Sequence, residues 1–512
     1  MTPSQDPPWV RRTDIVLRPD PTRVVTALFL PGQEPSASGG SRSGGVVERI
    51  LALSGDQVDV QLAELESRFA GRHRDLHVTW ERHFELVRHR VRRGGLLSAA
   101  RRRLIGAYFT QELAIEGTAL MNPSMVPHPD QTGLPPGAQR FVMSVRAVGE
   151  GHLSSVELRT GVVDADDRVL LDPSPTVAVL PAERPAGYSR AVFEHALDEL
   201  GGDRADSDFV LAALPSEFTR AELDGALGQL RAERLTRATT ARTVERFEAI
   251  AASGYTVGFP LDSALQERVL MPRTAAESRG MEDVRLVQLD AGDGSGRQYA
   301  GTYTGYDGQH VRVRMLRTED FVTWSVAPTG GPGARDKGLA LFPRRIGGRY
   351  VALSRADRES NAVSTSTDLL HWDEPVIVQA PRQPWEIVQL GNCGPPIETD
   401  AGWLVLTHGV GPMRRYSIGA LLLDLDDPTV VRGALDRPFL TPADDERSGY
   451  VPNVVYSCGA MRHGRTLVLP YGCSDTATRI AMIDLDALVG ELVRGAPLRA
   501  GRSGQENLEL RT

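Results

Sequence analysis

The spacing of hydrophobic residues changes once along this chain, from a helical period near its start to a strand-like alternation in most of the remainder. Leu76, Trp80, Phe84, Val87 and Val91 recur every three or four residues, which predicts one apolar helix face. Before that helix, Ser54 and Gln57 have the spacing of a capping box and precede the segment VDVQLAELESRF. A third helix is predicted from Leu96 to about Leu113.

The residues before these helices have a different sequence pattern. The run VVTALFL at 24–30 predicts a strand, and PGQEPSASGGSRSGG at 31–45 predicts a mobile loop, with helical spacing beginning at Val46. Residues 1–105 are therefore interpreted as an extension that is mostly helical after the loop.

Four histidines, His73, His77, His83 and His89, accompany the apolar helix face. His73 and His77 are one helical turn apart, which is a spacing that can hold a metal ion. No third ligand is near in sequence, and neighbouring arginines would repel a cation. We interpret these histidines as part of a solvated helix face.

Short alternating segments separated by turns begin near residue 106. Residues 140–164 predict a hairpin that turns at Gly149-Glu150-Gly151. A helical insertion is predicted at about 188–252, with Thr219 and Glu222 as a capping box. Strand patterning returns at Tyr255, so that 106–490 is predicted to be one domain with an insertion, followed by a tail at 491–512.

A weak internal repeat lies within the second half of the chain. EDFVTW at 319–324 is echoed by TDLLHW at 367–372, which places Trp324 and Trp372 48 residues apart. A period of roughly 50 residues with about four strands per unit is typical of a β-propeller blade. The fold class predicted is mainly β: a five-bladed β-propeller with an N-terminal helical extension and a helical insertion. A β-sandwich is the competing fold, but it requires no such repeat.

Composition narrows the classes of partner. The chain has 512 residues, a formal net charge of −8 and a pI of about 5.8, which argue against nucleic acid or an anionic membrane as a partner. The sequence has no apolar run long enough to cross a bilayer and no apolar leader, so a soluble, cytoplasmic protein is expected. Three cysteines without CxxC spacing predict free thiols rather than disulfides or a zinc site.

The only lysine of the chain is Lys337, among 58 basic residues. Arginine in such excess most simply reflects a GC-rich genome. A compact ammonium group that the planar guanidinium cannot replace is one physical reason for retaining a lysine, and chance is the other.

The segment GMEDVRLV at 280–287 places Asp283 between Glu282 and Arg285 where an apolar strand begins. An acidic pair before a strand is usually a solvated turn. In a propeller, however, polar residues at successive strand starts converge on one funnel. The candidates for this funnel are Asn122, Arg146, Asp283, Lys337, Arg355, His408, Tyr416 and Asp475. One carboxylate that donates a proton among several cations suits attack by an anion better than attack by water.

Several segments together resemble one known family. They are NPS (122–124), GMEDVRL (280–286), DKGLALFPRRIGGRY (336–350), GNCGPPIETDAGWLVLTHGV (391–410), YSIGALLLDLDDP (416–428), GYVPNVVYSCG (449–459) and YGCSD (471–475). In this order they resemble glycoside hydrolase family 130, whose members are five-bladed propellers that include mannoside phosphorylases and some mannosidases. The N-terminal extension and RAVGEGHLSSVE (146–157) are similar to a longer subgroup of that family.

The resemblance implies a role for each candidate. Asp283 matches the general acid, whose proton passes through a sugar hydroxyl to the glycosidic oxygen. The phosphate-binding positions are matched by Lys337, Arg355, His408 and Tyr416, with a further arginine that is either Arg312 or Arg314. The sugar-binding positions are matched by Asn122, Ser124, Arg146 and Asp475, and Glu282 is assigned to the same group.

The implied activity is inverting phosphorolysis of β-mannosides to α-mannose 1-phosphate, with inorganic phosphate as co-substrate and with no metal or other cofactor. Two alternatives stay open. One is an inverting β-mannosidase that uses Glu386 or Glu359 as its base, and the other is a non-catalytic sugar-binding propeller. The linkage, the donor sugar and a homo-oligomeric state are not fixed by the sequence, and the helical segments could cap the funnel, form an oligomer interface or simply pack against the propeller.

Overall fold

The computed structural model describes residues 6–32, 41–91, 97–201, 204–234, 236–290, 292 and 297–495. The protein is mainly β, and its helices are concentrated in two stretches and at the end of the chain. Within these ranges, no helix combines the length and the apolar character needed to cross a bilayer. The three cysteines are buried and free, as predicted.

A helical unit and a two-stranded sheet occupy the first 114 residues. The elements are β1 (Val10–Leu17), β2 (Val24–Leu28), α1 (Arg42–Leu51), α2 (Gly55–Phe69), α3 (Leu76–Val87), α4 (Ala99–Tyr108) and β3 (Thr110–Ala114). The predicted strand at 24–30 is confirmed by β2, which pairs antiparallel with β3. The predicted capping box of Ser54 and Gln57 is confirmed at the start of α2.

The apolar face of α3 is buried against α1, α2 and α4, as its spacing predicts. The prediction that α4 continues to about Leu113 is wrong, because residues 110–114 form β3, whose backbone groups pair with β2. Helix α1 begins at Arg42 rather than Val46, since the Ser41 side chain accepts a hydrogen bond from Gly44 N. The remainder of the predicted loop, at 33–40, lies outside the described residues.

The interpretation of the histidines as a solvated face is wrong for His73 and His83, which are buried. His73 Nε2 lies 2.7 Å from Glu112 Oε1, and His83 Nδ1 lies 2.7 Å from Thr110 Oγ1. Burial lowers the pKa of His83 to about 4. Both histidines therefore join the helical unit to β3. Among the residues with described positions, no His, Cys, Asp and Glu side chains form a group of three suited to a metal ion.

Most of the remaining strands form five antiparallel groups, here called sheets. The first and second are joined into one eleven-stranded sheet by a parallel pairing of Gly280 with Ser154, and two short strands at 187–189 and 217–219 pair apart from all five. The first contains β4 (Ala119–Pro127), β5 (Gln139–Val148), β6 (Ser154–Val163) and β7 (Val169–Leu171), so the hairpin predicted at 140–164 is confirmed. Next come β8 (Ala182–Arg184), β9 (Gly187–Ser189), α5 (Arg190–Leu200), α6 (Arg204–Ala212), β10 (Glu217–Thr219), α7 (Arg220–Glu233), α8 (Thr240–Ala251), β11 (Tyr255–Gly258) and β12 (Val269–Leu270).

The second sheet contains β13 (Gly280–Asp290), β14 (Arg297–Tyr306), β15 (Val311–Thr318) and β16 (Thr323–Pro328), and β11 and β8 extend its edge. The third contains β17 (Ala340–Leu341), β18 (Tyr350–Ser354), β19 (Asn361–Ser366) and β20 (Val376–Gln379). The fourth contains β21 (Gln389–Asn392), β22 (Ile397–Thr399), β23 (Gly402–Val410), β24 (Tyr416–Leu423) and β25 (Val431–Ala434). The fifth contains β26 (Val455–Tyr456), β27 (Met461–His463), β28 (Thr466–Cys473), β29 (Ala477–Asp484) and the N-terminal β1, before α9 (Leu485–Arg494).

Each sheet shares a hydrophobic cluster with the next one. The pairs are Leu158 with Leu286 between the first and second sheets, Met315 with Leu341 between the second and third, Leu353 with Trp403 between the third and fourth, and Leu404 with Leu467 between the fourth and fifth. Met143 of the first sheet shares a cluster with Val468 of the fifth. The series of contacts between sheets therefore returns to its start.

Helices α5 to α8 lie within the predicted insertion and enclose a core of their own around Phe193, Leu227 and Phe247. The predicted capping box of Thr219 and Glu222 is confirmed at the start of α7. Helix α5 contacts the connection between the second and third sheets, where the Glu199 carboxylate accepts a hydrogen bond from Gly331 N at 2.7 Å. The predicted tail at 491–512 overlaps the end of α9, and residues 496–512 lie outside the described residues.

Candidate active site

Three of the acidic or amide residues that have left-handed backbone lie at candidate positions on neighbouring sheets. Asn122 (φ 51°) lies in β4, Asp283 (φ 57°) lies in β13, and Asp475 (φ 47°) lies in the turn between β28 and β29. Strand pairing shifts register at Asn122 and at Asp283. Residues other than glycine adopt this conformation at a cost, and they cluster at functional sites.

The two bulged strands bring Asn122 and Asp283 into contact. Asn122 Nδ2 donates to Asp283 Oδ1 at 2.8 Å, and only 7% of Asp283 is exposed. The alternative interpretation of GMEDVRLV as a solvated turn is therefore wrong. The apolar alternation predicted after Asp283 is confirmed by β13.

Arg146 of β5 joins the neighbouring carboxylates. Its Nη2 lies 2.6 Å from Glu282 Oε1, its Nη1 lies 3.5 Å from Asp283 Oδ1, and its Nε donates to Ser154 Oγ at 3.0 Å. Asp475 lies within the electrostatic reach of the same guanidinium. The structure thus places Asn122, Arg146, Asp283 and Asp475 together, on three sheets.

The carboxyl groups of this cluster differ in proton affinity. Burial alone would raise the pKa of Asp283, but the Arg146 guanidinium, with Arg285 and Lys337, holds it below its usual value. Burial raises the pKa of Asp475 to about 6, and the negative charge of Asp283 adds to the effect. Burial also raises the pKa of Glu282. Asp283 is therefore ionised at neutral pH in the ligand-free site, and Asp475 titrates just below neutrality.

A second group of side chains is linked to Asp283 through Arg285. The Arg285 guanidinium donates to Asp283 O at 2.8 Å, to Tyr456 OH at 2.6 Å and to Asn392 Oδ1 at 3.3 Å. The Tyr456 ring lies edge-on to His408, with 4.9 Å between centroids. These contacts connect the second sheet to the fourth and fifth.

His408 lies next to Arg355 across Gly391. A Cβ at Gly391 would lie 2.3 Å from His408 Cε1 and 3.1 Å from Arg355 Cδ, so the two side chains cover the position that a larger residue would need. His408 Nδ1 lies 3.2 Å from Asn392 O. Burial lowers the pKa of His408 well below its usual value, and the charge of Arg355 lowers it further.

The hydrogen bond between His408 and Asn392 O fixes which nitrogen of the neutral His408 ring carries the proton. A carbonyl oxygen can only accept, so Nδ1 donates to Asn392 O and Nε2 is left as an acceptor. The Tyr416 ring is stacked beside His408, with 5.8 Å between centroids, and its hydroxyl accepts a hydrogen bond from Gln389 Nε2 at 3.3 Å.

Lys337 is half-buried and follows Asp336, whose Oδ2 lies 3.5 Å from Arg355 Nη2. Among the contacts of the described residues, Lys337 has no hydrogen-bond or ion-pair partner. Its charge acts on Glu282, Asp283 and His408. The ammonium group is therefore a free cation between the carboxylates and the His408 group.

Two predicted phosphate-binding arginines are not brought to this cluster. Arg314 is buried and donates to the Ser253 carbonyl, and its charge acts on Tyr303, its partner on the neighbouring strand β14. Arg312 is exposed two residues earlier on the same strand. The buried arginine that does reach the His408 group is Arg285.

Ser124, a predicted sugar-binding residue, lies behind the cluster rather than at its surface. It is fully buried, and its hydroxyl accepts a hydrogen bond from Leu286 N at 3.1 Å. Ser124 therefore anchors β13 to β4 below Asn122 and Asp283.

The sequence reasoning missed Asn392 and Tyr456. Both lie in segments, GNCG and VVYSCG, that carried the family resemblance, but neither has a charge or a strand-start position that would have marked it. Their side chains matter through contacts with Arg285, which lies more than a hundred residues away in sequence.

Neither carboxylate considered as a base for water belongs to the cluster. Glu386 is buried, and its Oε2 accepts a hydrogen bond from Arg382 N at 2.8 Å, which stabilises its own loop. Glu359 is exposed next to Asp357. The structure places no contact between either residue and the Asp283 cluster in the part of the chain that it describes.

Comparison with known proteins finds relatives of this chain. The sequence profile of glycoside hydrolase family 130, described as beta-1,4-mannooligosaccharide phosphorylase, matches residues 258–493. The 1,2-beta-oligomannan phosphorylase of Thermoanaerobacter sp. (strain X514) is 32% identical over 227 residues, which are 43% of this chain and 74% of that protein.

The chain belongs to glycoside hydrolase family 130. A second protein of the same organism, a beta-1,2-mannobiose phosphorylase, is 32% identical over 259 residues, which are 48% of this chain and 81% of that protein. The solved beta-1,2-mannobiose phosphorylase of Listeria innocua, in complex with beta-1,2-mannobiose, overlaps with a TM-score of 0.45 at 22% identity, over 74% of this chain and 93% of that one. The family match includes Asp283, Lys337, His408 and Asp475, whereas Asn122 and Arg146 precede it.

Proposed function

We propose that this protein is an inverting phosphorylase that cleaves β-mannosides with inorganic phosphate and releases α-mannose 1-phosphate. The observation that carries the proposal is the free Lys337 ammonium beside a buried carboxylate, Asp283, with Arg355 and His408 within the same cluster. A neutral water nucleophile does not require such cations, whereas a phosphate anion requires them to bind and to offset its charge. The names of the relatives, mannoside phosphorylases, support the same reaction.

We infer that the five sheets form a five-bladed propeller. The support is the closed series of shared hydrophobic clusters, in which the fifth sheet packs against the first, and the pairing of the N-terminal β1 with β29 of the last sheet. A ring of sheets directs the strand starts that carry Asn122, Asp283 and Asp475 toward a common centre.

The reaction can be assigned to named atoms. Phosphate is held by Lys337, Arg355 and Tyr416, and a P–OH group donates to His408 Nε2. A phosphate oxygen forms a bond with the anomeric carbon as the bond to the leaving oxygen breaks. The leaving oxygen takes up a proton that Asp283 releases, by way of a sugar hydroxyl. Positioning of two bound reactants supplies roughly 7–11 kcal/mol of the barrier reduction.

Asp283 must hold a proton before it can act as the acid. The cations that hold its pKa low in the empty site include Lys337 and Arg285. A bound phosphate dianion offsets their charge and so raises the pKa of Asp283. Phosphate thereby prepares the acid that protonates the leaving group.

The sugar is held on the other side of Asp283. The ring hydroxyls donate to Asp475 and Glu282, and Arg146 and Asn122 donate to the sugar oxygens. Because several relatives are named for β-1,2-linked substrates, we propose β-1,2-mannobiose or a longer β-1,2-mannan as the substrate. Hydrolysis with Glu386 as base is the weaker candidate, since that carboxylate is engaged in its own loop.

The synthetic direction tests the donor and the acceptor together. The enzyme is incubated with α-mannose 1-phosphate and a panel that contains mannose, β-1,2-mannobiose, β-1,4-mannobiose and glucose, and released phosphate is measured. Phosphate release with β-1,2-linked product is expected, also after dialysis against EDTA, because the cations of the site neutralise the phosphate. Phosphate release with glucose 1-phosphate but not with mannose 1-phosphate would contradict the choice of donor.

A further inference from the structure

Arg12 of β1 makes contacts that lead toward the candidate active site, although β1 lies far outside the segment that matches the family. Its guanidinium donates to the Glu446 carboxylate, to Tyr471 OH at 3.3 Å and to Thr441 O at 2.7 Å. It also donates to both carboxylate oxygens of Asp6, at 2.7 and 3.0 Å. The Arg12 side chain is only 16% exposed. The N-terminal strand thus inserts a charge between β28 and the loop that carries Glu446.

Glu446 has no exposed side-chain surface, and its carboxylate is fully engaged. Tyr471 OH donates to its Oε1 at 2.6 Å, and Ala443 N donates to its Oε2 at 3.0 Å. A buried carboxylate of this kind depends on a cation nearby. Arg12 hydrogen-bonds to this carboxylate, and the Arg479 Nε of β29 lies farther away, 3.6 Å from its Oε1.

The main chain of Glu446 holds the turn that carries Asp475. Ser474 Oγ donates to Glu446 O, and both Ser474 and Asp475 have left-handed backbone, with φ of 48° and 47°. Such a conformation persists only where surrounding contacts determine it. The contacts run from Arg12 through Glu446 to Ser474, and Asp475 is the next residue.

We propose that Arg12 is a positioning residue for sugar binding: through Glu446 and Ser474 it fixes the turn that directs Asp475 into the site. The inference rests on the proposed function only in that Asp475 binds the sugar. It gives the N-terminal strand a role in substrate binding. That strand lies outside the segment that matches the family.

The test is a double-mutant cycle on the full chain with Arg12→Met, Ser474→Ala and the combined variant. Affinity for β-1,2-mannobiose is measured by calorimetry without phosphate. Because a displacement of about 1 Å can cost up to about a hundredfold, each single change is expected to weaken binding about tenfold. The combined variant should be no weaker than either single change, since both break one chain of contacts. Arg12→Lys, which keeps a cation for Glu446, should restore much of the affinity.

Arg11→Met is the matched control, because Arg11 is exposed on the same strand and, among the residues whose positions are described, donates to Asp167 O alone, at 3.2 Å. It should bind mannobiose like the wild type. In turnover, Arg12→Met should raise KM for the mannoside and leave KM for phosphate unchanged. If Arg12→Met does not fold, Ser474→Ala and Arg12→Lys are compared instead.

Additive effects in the cycle, or a lowered Tm with unchanged mannobiose affinity, would overturn the proposal. Failure of the proposed phosphorolysis appears elsewhere, as wild-type turnover that does not depend on phosphate. The two failures are therefore separable, because the binding cycle contains no phosphate.

Discussion

Asn122 Nδ2 donates to Asp283 Oδ1 at 2.8 Å, and both residues hold left-handed backbone at a register shift of their strands. The contact occupies one oxygen of the Asp283 carboxylate and leaves the other for a proton. It also gives this carboxylate a fixed orientation between the sugar-binding side chains and the cations.

Replacement of this carboxylate tests its role as the acid. Asp283→Asn should lower kcat by about 10²- to 10⁴-fold, because general acid catalysis contributes on that scale, while the protein stays folded. Phosphorolysis is followed by release of mannose 1-phosphate. The matched control is Asp290→Asn, an exposed aspartate at the end of the same strand, which should keep wild-type turnover. Retained phosphate-dependent turnover in Asp283→Asn would show that another group donates the proton.

Asp475 gives a pH-dependent prediction whose sign follows from its raised pKa. Its pKa is about 6 in the folded protein against an ordinary value of 3.8. The folded state therefore binds the proton more tightly than the unfolded state does, and stability falls as pH rises from about 4 to about 6. Asp475→Asn removes this loss. Its Tm should exceed that of the wild type at pH 7.5 and not at pH 4, as measured by scanning calorimetry at the two pH values.

The opposite sign, a Tm at pH 7.5 below that of the wild type, would mean that the ionised Asp475 stabilises the fold. The same variant should lose affinity for mannobiose at pH 7.5, because an amide cannot replace a carboxylate that accepts sugar hydroxyls. The loss should be smaller at pH 4, where the wild-type Asp475 is itself protonated.

Gly391 allows His408 and Arg355 to lie where they do. In Gly391→Ala the new Cβ would lie 2.3 Å from His408 Cε1, so the ring must move. KM for phosphate should rise by about ten- to a hundredfold, while mannobiose affinity is kept. Gly228→Ala in α7 is the control, since no atom lies within 4 Å of its added Cβ and alanine favours helix by roughly 1 kcal/mol. A normal KM for phosphate in Gly391→Ala would place the phosphate away from His408.

Replacement of Lys337 distinguishes its role in phosphate binding from a role in sugar binding. Lys337→Met keeps the aliphatic stem and removes the charge, so KM for phosphate should rise strongly while mannobiose affinity changes little. Arg335→Met removes an exposed cation two residues earlier in the same connection and should have no effect on either constant. Equal loss of both affinities in Lys337→Met would indicate that the lysine binds the sugar.

The sequence repeat predicted local structure well because the turn that it encodes is made of contacts within a few residues. The Nε1 of Trp324 donates to Phe321 O at 3.0 Å, and that of Trp372 donates to Leu369 O at 3.0 Å. Phe321 and Leu369 both have left-handed backbone. The periodicity of side chains and the residues of local turns were therefore enough to predict the strands, two capping boxes and the repeat.

The features that the sequence did not predict depend on contacts between residues that are far apart in the chain. Residues 110–113 have a helical pattern, but β2 offers them backbone partners, and the strand results. His73 is buried because Glu112 of that strand lies against it. In the candidate site, the family resemblance offered either Arg312 or Arg314 as a phosphate ligand, whereas Arg285 reaches Tyr456 and Asn392 on other sheets. Such contacts depend on the arrangement of the sheets, which no local pattern specifies.

The central claim is that phosphate, not water, attacks the mannoside. The most direct measurement incubates the enzyme with β-1,2-mannobiose in the presence and absence of inorganic phosphate and follows the products by ³¹P and ¹H NMR. We predict one α-mannose 1-phosphate and one mannose for each mannobiose consumed with phosphate, and no turnover without it. Release of mannose at the same rate in both samples, with no mannose 1-phosphate, would contradict the account.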